Sequence, residues 1–161
     1  MTWNPFKPQK RWGAVEMSSE FVLDCSVSGY WFLEKGPAPD IAYARAVEQS
    51  LEDHQAIVPQ LWQQEMTNIL LTHERKEQIS LAGIVSLLKK IEPLPIEIDF
   101  SFNNDILYLG IEFGLTAYDA CYLSLALNRG LPLATLDRAL IKAATAAGVQ
   151  IYQGVLLEGT H

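Results

Sequence analysis

A chain of 161 residues is long enough for one core and too short for two comfortable domains. Hydrophobic residues make up 49% of it and charged residues 19%, a globular balance that excludes a disordered polymer. The net charge of −7 argues against a broad basic face that grips nucleic acid, but leaves room for a nuclease whose bound metal ions carry the positive charge.

The opening "MTWNPFKPQKRWGAVEMSSE" has basic residues with no apolar stretch behind them, which supports neither a secretory signal nor a membrane anchor. No apolar run reaches the ~18 residues of a spanning helix. Residues 1–19 therefore read as a loose N-terminal extension, 20–155 as one domain and 156–161 as a tail, in a cytoplasmic protein.

"FVLDCSV" (21–27) is a short apolar run rich in β-branched residues and predicts a first buried strand. "DIAYARAVEQSLEDH" (40–54) repeats apolar residues every three or four positions, an amphipathic helix, and "QAIVP" (55–59) a second strand stopped by Pro59. Two helices follow, "QLWQQEMTNILLTHERK" (60–76) and "SLAGIVSLLKKI" (80–91), the latter with Ser80 as N-cap and Lys89 and Lys90 suited to its C-terminus. "PIEIDF" (95–100) alternates as a third strand, and "NNDILYLGIEFG" (103–114) reads as a helix closed by Gly114. A helix over 117–129 closed by Gly130, a strand "PLATL" (132–136), a helix "RALIKAATAAG" (138–148) and a last strand "VQIYQ" (149–153) complete the chain. Strands separated by helices imply mainly parallel pairing with both faces covered: an α/β fold of three layers.

The two cysteines, Cys25 and Cys121, belong to no CxxC or CxxH pair and read as buried, reduced thiols, not as a disulfide or zinc site. The acids are more informative. In open parallel sheets, ligands collect at the carboxyl ends of strands. Asp24 lies near the end of the first strand and Asp137 just after the fourth, so they converge if those strands are neighbours. Asp119 falls in the first turn of the helix entering the fourth strand, and Glu65 on the helix after the second, with Asn68 three residues on and on the same face.

Taken singly, Asp137 reads equally as an N-cap and Asp119 as a first-turn stabiliser, while Glu65 alone reads more readily as a solvated helix residue. Asp24 is harder to dismiss, because an unpaired charge in a buried strand costs several kcal/mol. The four together favour a site. Like charges ~4 Å apart repel by about 4 kcal/mol at an effective dielectric near 20, so converging carboxylates call for cations. Oxygen donors without imidazole or thiolate point to Mg2+ or Mn2+, and such ions can activate water for phosphodiester cleavage.

These residues carry a resemblance. The chain resembles PIN-domain ribonucleases over about residues 20–153, in particular VapC-type toxins of bacterial toxin-antitoxin modules, most specifically in "LTAYDACYLSLALNRGLPLATLDRALIKAATAAGVQIY" and more weakly in "FVLDCSV" and "QQEMTNIL". The resemblance implies an acidic quartet of Asp24, Glu65, Asp119 and Asp137 as catalytic and metal-holding residues. Ser26, Asn68 and Thr135 match supporting positions. It further implies a sheet ordered 3-2-1-4-5, Mg2+- or Mn2+-dependent endoribonuclease activity on RNA such as tRNA or rRNA, a homodimer, and a cognate antitoxin whose basic tail occupies the acidic groove. Where some members have a further acid just after the last aspartate, this chain has Arg138 and Ala139, and residues 1 to about 16 have no counterpart.

Other side chains read more plainly. His54, His73 and His161 are widely spaced in polar contexts and suit the surface, Tyr30, Trp31 and Phe32 suit packing more than base stacking, and Lys35, Arg75 and Lys76 are ordinary solvated cations. Two other functions compete: a protein-binding module that keeps the fold without the chemistry, and, ranked lowest, a phosphoryl-transfer domain of the haloacid dehalogenase or receiver type. The dehalogenase type would want DxD where the chain has "DCS", and a receiver a lysine that "VQIYQG" does not offer.

Overall fold

Four short strands align in parallel in the order β3-β2-β1-β4: β1 Glu20–Leu23, β2 Gln55–Pro59, β3 Ile96–Asp99 and β4 Leu133–Ala134. The computed structural model describes residues 19–32 and 35–154. The expected extension lies outside them except for Ser19, as do the tail and His161. The register sets Val22 beside both Ile57 and Leu133, so β1 is central, and Phe21, Val22 and Leu23 are buried on both faces of the sheet.

Crossover helices supply the outer layers. They are α1 Cys25–Ser28, α2 Ala38–Ser50, α3 Leu61–Arg75, α4 Leu81–Ile91, α5 Ile106–Phe113, α6 Ala117–Arg129 and α7 Arg138–Ala146. The local chemistry of the sequence sets their ends. Ser80, Thr116 and Asp137 accept hydrogen bonds from the backbone N–H of Gly83, Asp119 and Leu140, satisfying donors that a first helical turn leaves open. Gly114 and Gly130 close α5 and α6 in the left-handed conformation that an L side chain resists. The core is packed mainly by α6, through Tyr122, Leu123 and Leu125, and by α7 through Leu140 and Ala144.

Four expectations change. The first strand ends at Leu23 rather than at Val27: the Asp24 carbonyl accepts from the N–H groups of Val27 and Ser28, turning the chain into α1. A short apolar run does not distinguish strand from helix by periodicity, and here the helical turn won. The fourth strand keeps two residues of the expected five, and "VQIYQ" is reduced to a parallel bridge between Leu133 and Ile151. Leu133 still bonds on that side to Gln150 and Tyr152, so the fifth position is present in outline. Finally, both thiols are free as expected but only partly buried.

Candidate functional site

The backbone at the carboxyl end of the sheet explains why the acids gather there. Asp24 N–H donates to the Ala134 carbonyl at 3.0 Å, the last rung joining β1 to β4, and both chains then turn away into helices. Asp24 is left at one turn and Asp137 at the other. Asp24 is 3% exposed, and its Oδ2 accepts from Ser26 Oγ at 2.6 Å and from Thr135 Oγ1 at 2.8 Å. The same two hydroxyls accept from the next turn, Ser26 from Leu136 N–H at 3.0 Å and Thr135 from Asp137 N–H at 3.1 Å. The loop that carries Asp137 is thereby fixed to the residue that follows β1.

Asp137 caps α7 through Oδ1, 2.9 Å from Leu140 N, so its expected capping role and its place at the sheet end coexist. Asp119 sits half-buried in the first turn of α6, its N–H held 3.2 Å from Thr116 Oγ1. Burial pushes its carboxyl above the ordinary aspartate range, and the negative charges of Asp137 and then Asp24 push it further, against a hydrogen bond from Thr116. Asp24 is raised first by burial; the Ser26 and Thr135 hydroxyls pull it back down, and Glu65 adds repulsion. Asp24 thus feels the charge of Glu65, and Asp119 the charges of Asp137 and Asp24.

Glu65 reaches it from α3 and is held by two partners that the sequence did not single out for this role. Tyr122 OH donates to Oε1 at 2.8 Å, and the Cys25 thiol donates to Oε2 at 3.1 Å. Burial, followed by the charge of Asp24 and the bond to Glu65, keeps Cys25 protonated and therefore a donor. Tyr122 follows Asp119 by three residues and so shares its face of α6, a spacing that could have flagged it. Asn68 lies on the exposed side of α3 and lines a surface depression with Cys25 and Ser26; none of the hydrogen bonds among the described residues joins it to an acid.

The donor set fits a hard divalent cation in kind: carboxylate oxygens whose mutual repulsion a cation would relieve. The side chains are not drawn into a closed cage, for among the described residues no group of three or more His, Cys, Asp or Glu is arranged to hold a metal ion as it stands. Asp24, Asp119 and Asp137 are the residues that would hold one, beside a Glu65 that Tyr122 and Cys25 orient.

The histidines lie elsewhere. His54 Nδ1 is 2.6 Å from Tyr152 OH, just before β2 begins and thus at the opposite end of the sheet, and His73 Nδ1 bonds Gln78 Oε1. Trp31 is buried, its Nε1 donating to the Ala44 carbonyl at 3.0 Å, while Tyr30 and Phe32 pack partly buried against the core.

A family model described as "PIN domain" matches residues 21–146. The chain belongs to the PIN domain family. Its members are generally nucleases and typically bind divalent metals. The PIN domain seen here is also similar to a solved structure, the crystal structure of PAE2754 from Pyrobaculum aerophilum, at 26% identity and a TM-score of 0.59 over 79% of this chain and 87% of that one. No curated protein matches the chain. No helix among the described residues is long and apolar enough to cross a membrane.

Proposed function

We propose that this PIN domain is a Mg2+- or Mn2+-dependent endoribonuclease, acting as the toxin of a toxin-antitoxin pair. The observation that carries the reading is that buried Asp24 and the α7 cap Asp137 are tied together through Thr135 at the carboxyl end of one parallel sheet, away from which both β1 and β4 turn, with half-buried Asp119 at the start of α6. Divalent ions held by these acids would supply an activated water and charge stabilisation at the scissile phosphate. The chain's own contribution is positioning: Ser26 and Thr135 orient Asp24, and Tyr122 and Cys25 orient Glu65. A basic antitoxin segment suits the same acidic end.

A homodimer is part of the proposal. Phe102, Leu107, Tyr108 and Ile111 on and beside α5 are 68–86% exposed, a contiguous apolar face of the kind that marks association surfaces. The test is incubation of total RNA with the protein: discrete fragments are expected with Mn2+ and none with EDTA. Intact RNA under every metal tried would contradict the reading.

A second reading, a binding module without chemistry, is favoured by one observation: both Glu65 oxygens are already engaged by protein donors. Saturable Mn2+ binding that disappears in Asp24→Ala would count against it.

A further inference from the structure

A depression of about 270 Å3 opens beside the acids, between the start of α1 and the outer face of α3. Ser26, Gly29, Tyr30, Asn68, Ile69 and His73 line it. Ser26 joins it directly to the acidic end, since the hydroxyl at its rim is the one that donates to Asp24 at 2.6 Å. At this volume it lies just under the roughly 300–1,000 Å3 of drug-sized ligand sites, which suits a single flat ring system.

Two glycines shape it. A Cβ on Gly29 would stand 3.4 Å from Ile69 Cδ1, so a side chain there would begin to fill the floor. A Cβ on Gly36 would come within 2.5 Å of Tyr30 Cε1, so the bare backbone at that position is what allows the Tyr30 ring to lie against it. The lining combines an aromatic ring from Tyr30, an aliphatic wall from Ile69, and from Asn68 an exposed amide with donor and acceptor side by side. His73 bonds Gln78 Oε1 through Nδ1, which in the neutral ring leaves Nε2 as an acceptor. An amphipathic peptide helix would need a row of aliphatic pockets; this depression offers one large aliphatic side chain, and the apolar pocket that shares Ile69 and His73 with it is not lined by Ser26, which marks the acidic end.

A flat aromatic ligand with hydrogen-bonding edges, one side chain away from a phosphodiester-cleaving site, is a nucleobase. We propose that this depression receives the base flanking the scissile phosphate, with Tyr30 stacking on its face and Asn68 reading its edge. The inference rests on the nuclease reading for the identity of the phosphate, and it makes Tyr30 and Asn68 determinants of which RNA sequence is cut.

The test separates the two claims by measuring binding without cleavage. A pool of random single-stranded RNA hexamers is titrated, without divalent metal, into the Asp119→Asn protein, and the bound fraction is sequenced. Adding Tyr30→Leu should weaken binding about tenfold, the order of a lost stacking contact, while Tyr30→Phe stays near the parent. Adding Asn68→Asp, an exposed change that leaves the core untouched, should alter the base enriched at one position. Unchanged affinity in Tyr30→Leu together with unchanged base enrichment in Asn68→Asp would overturn the subsite, whatever the unmodified chain cuts. Tyr30-dependent RNA binding by a chain that cuts no RNA would uphold the subsite and remove the nuclease reading. Tyr30-dependent binding of peptides with none of RNA would overturn the subsite.

Discussion

Thr135 Oγ1 lies 2.8 Å from Asp24 Oδ2, a buried hydrogen bond between residues 111 positions apart that ties the end of β4 to the end of β1. The same oxygen accepts from Asp137 N–H, so one hydroxyl both pulls the Asp24 carboxyl back towards its ordinary range and anchors the turn carrying a second acid. Replacing it with an isosteric methyl removes both bonds. Thr135→Val should cost about 1–3 kcal/mol, the usual penalty for leaving a buried acceptor unmet, read as a lower midpoint in urea. With the hydroxyl gone, Asp24 should titrate higher still, and the acid limb of any pH–rate profile should move to higher pH.

Tyr122 offers a separate handle on Glu65. Its hydroxyl donates to Oε1 from the face of α6 that also carries Asp119, while its ring fills the core. Tyr122→Phe keeps the ring and releases the carboxylate. Outer-shell partners of this kind typically change metal affinity or activity by about 10–100-fold, and a loss of that order in Mn2+ affinity is expected by calorimetry. Unchanged affinity with unchanged activity would show that Glu65 needs no orienting partner.

The raised carboxyls make a statement about stability. Because Asp24 and Asp119 hold their protons more tightly folded than unfolded, the folded state binds more protons between their ordinary values, about 3.9, and their raised ones. Their contribution to stability is therefore lost as pH rises through that window, and at neutral pH the ionised acids repel. Asp119→Asn should raise the melting temperature at pH 7 in EDTA. The gain should shrink as pH falls through the window, and also on adding Mn2+ to both proteins, because the cation stabilises only the intact quartet. A melting temperature unaltered by the substitution at pH 7 would contradict the crowding of charge described above.

Much of this arrangement was legible in the sequence for physical reasons. Alternation of strands and helices forces parallel pairing, which puts Asp24 and Asp137 at the same end of the sheet once β1 and β4 are neighbours, and their adjacency is seen in the Val22–Leu133 register. Capping chemistry placed Ser80 and Gly130 at helix ends, and both stand there. What was not legible depends on local competition or on distance along the chain. Cys25–Val27 reads as the end of the first strand because it continues the apolar run from Phe21, yet the Asp24 carbonyl accepts from Val27 and Ser28 N–H and turns it into a helix. The bonds from Cys25 and Tyr122 to Glu65 join residues 40 and 57 positions apart, and no periodicity announces them. The fifth strand is reduced to a bridge beside a β4 that itself offers only two strand residues.

The central claim is that Asp24, Glu65, Asp119 and Asp137 together hold divalent ions that cut RNA. Its most direct test is end-labelled tRNA and ribosomal RNA incubated with the purified chain in Mn2+, beside Asp119→Asn, with Mn2+ binding to both proteins followed by calorimetry. The account predicts discrete cuts and saturable Mn2+ binding by the unmodified chain, and loss of both in the variant. Cuts of equal rate by Asp119→Asn would contradict it.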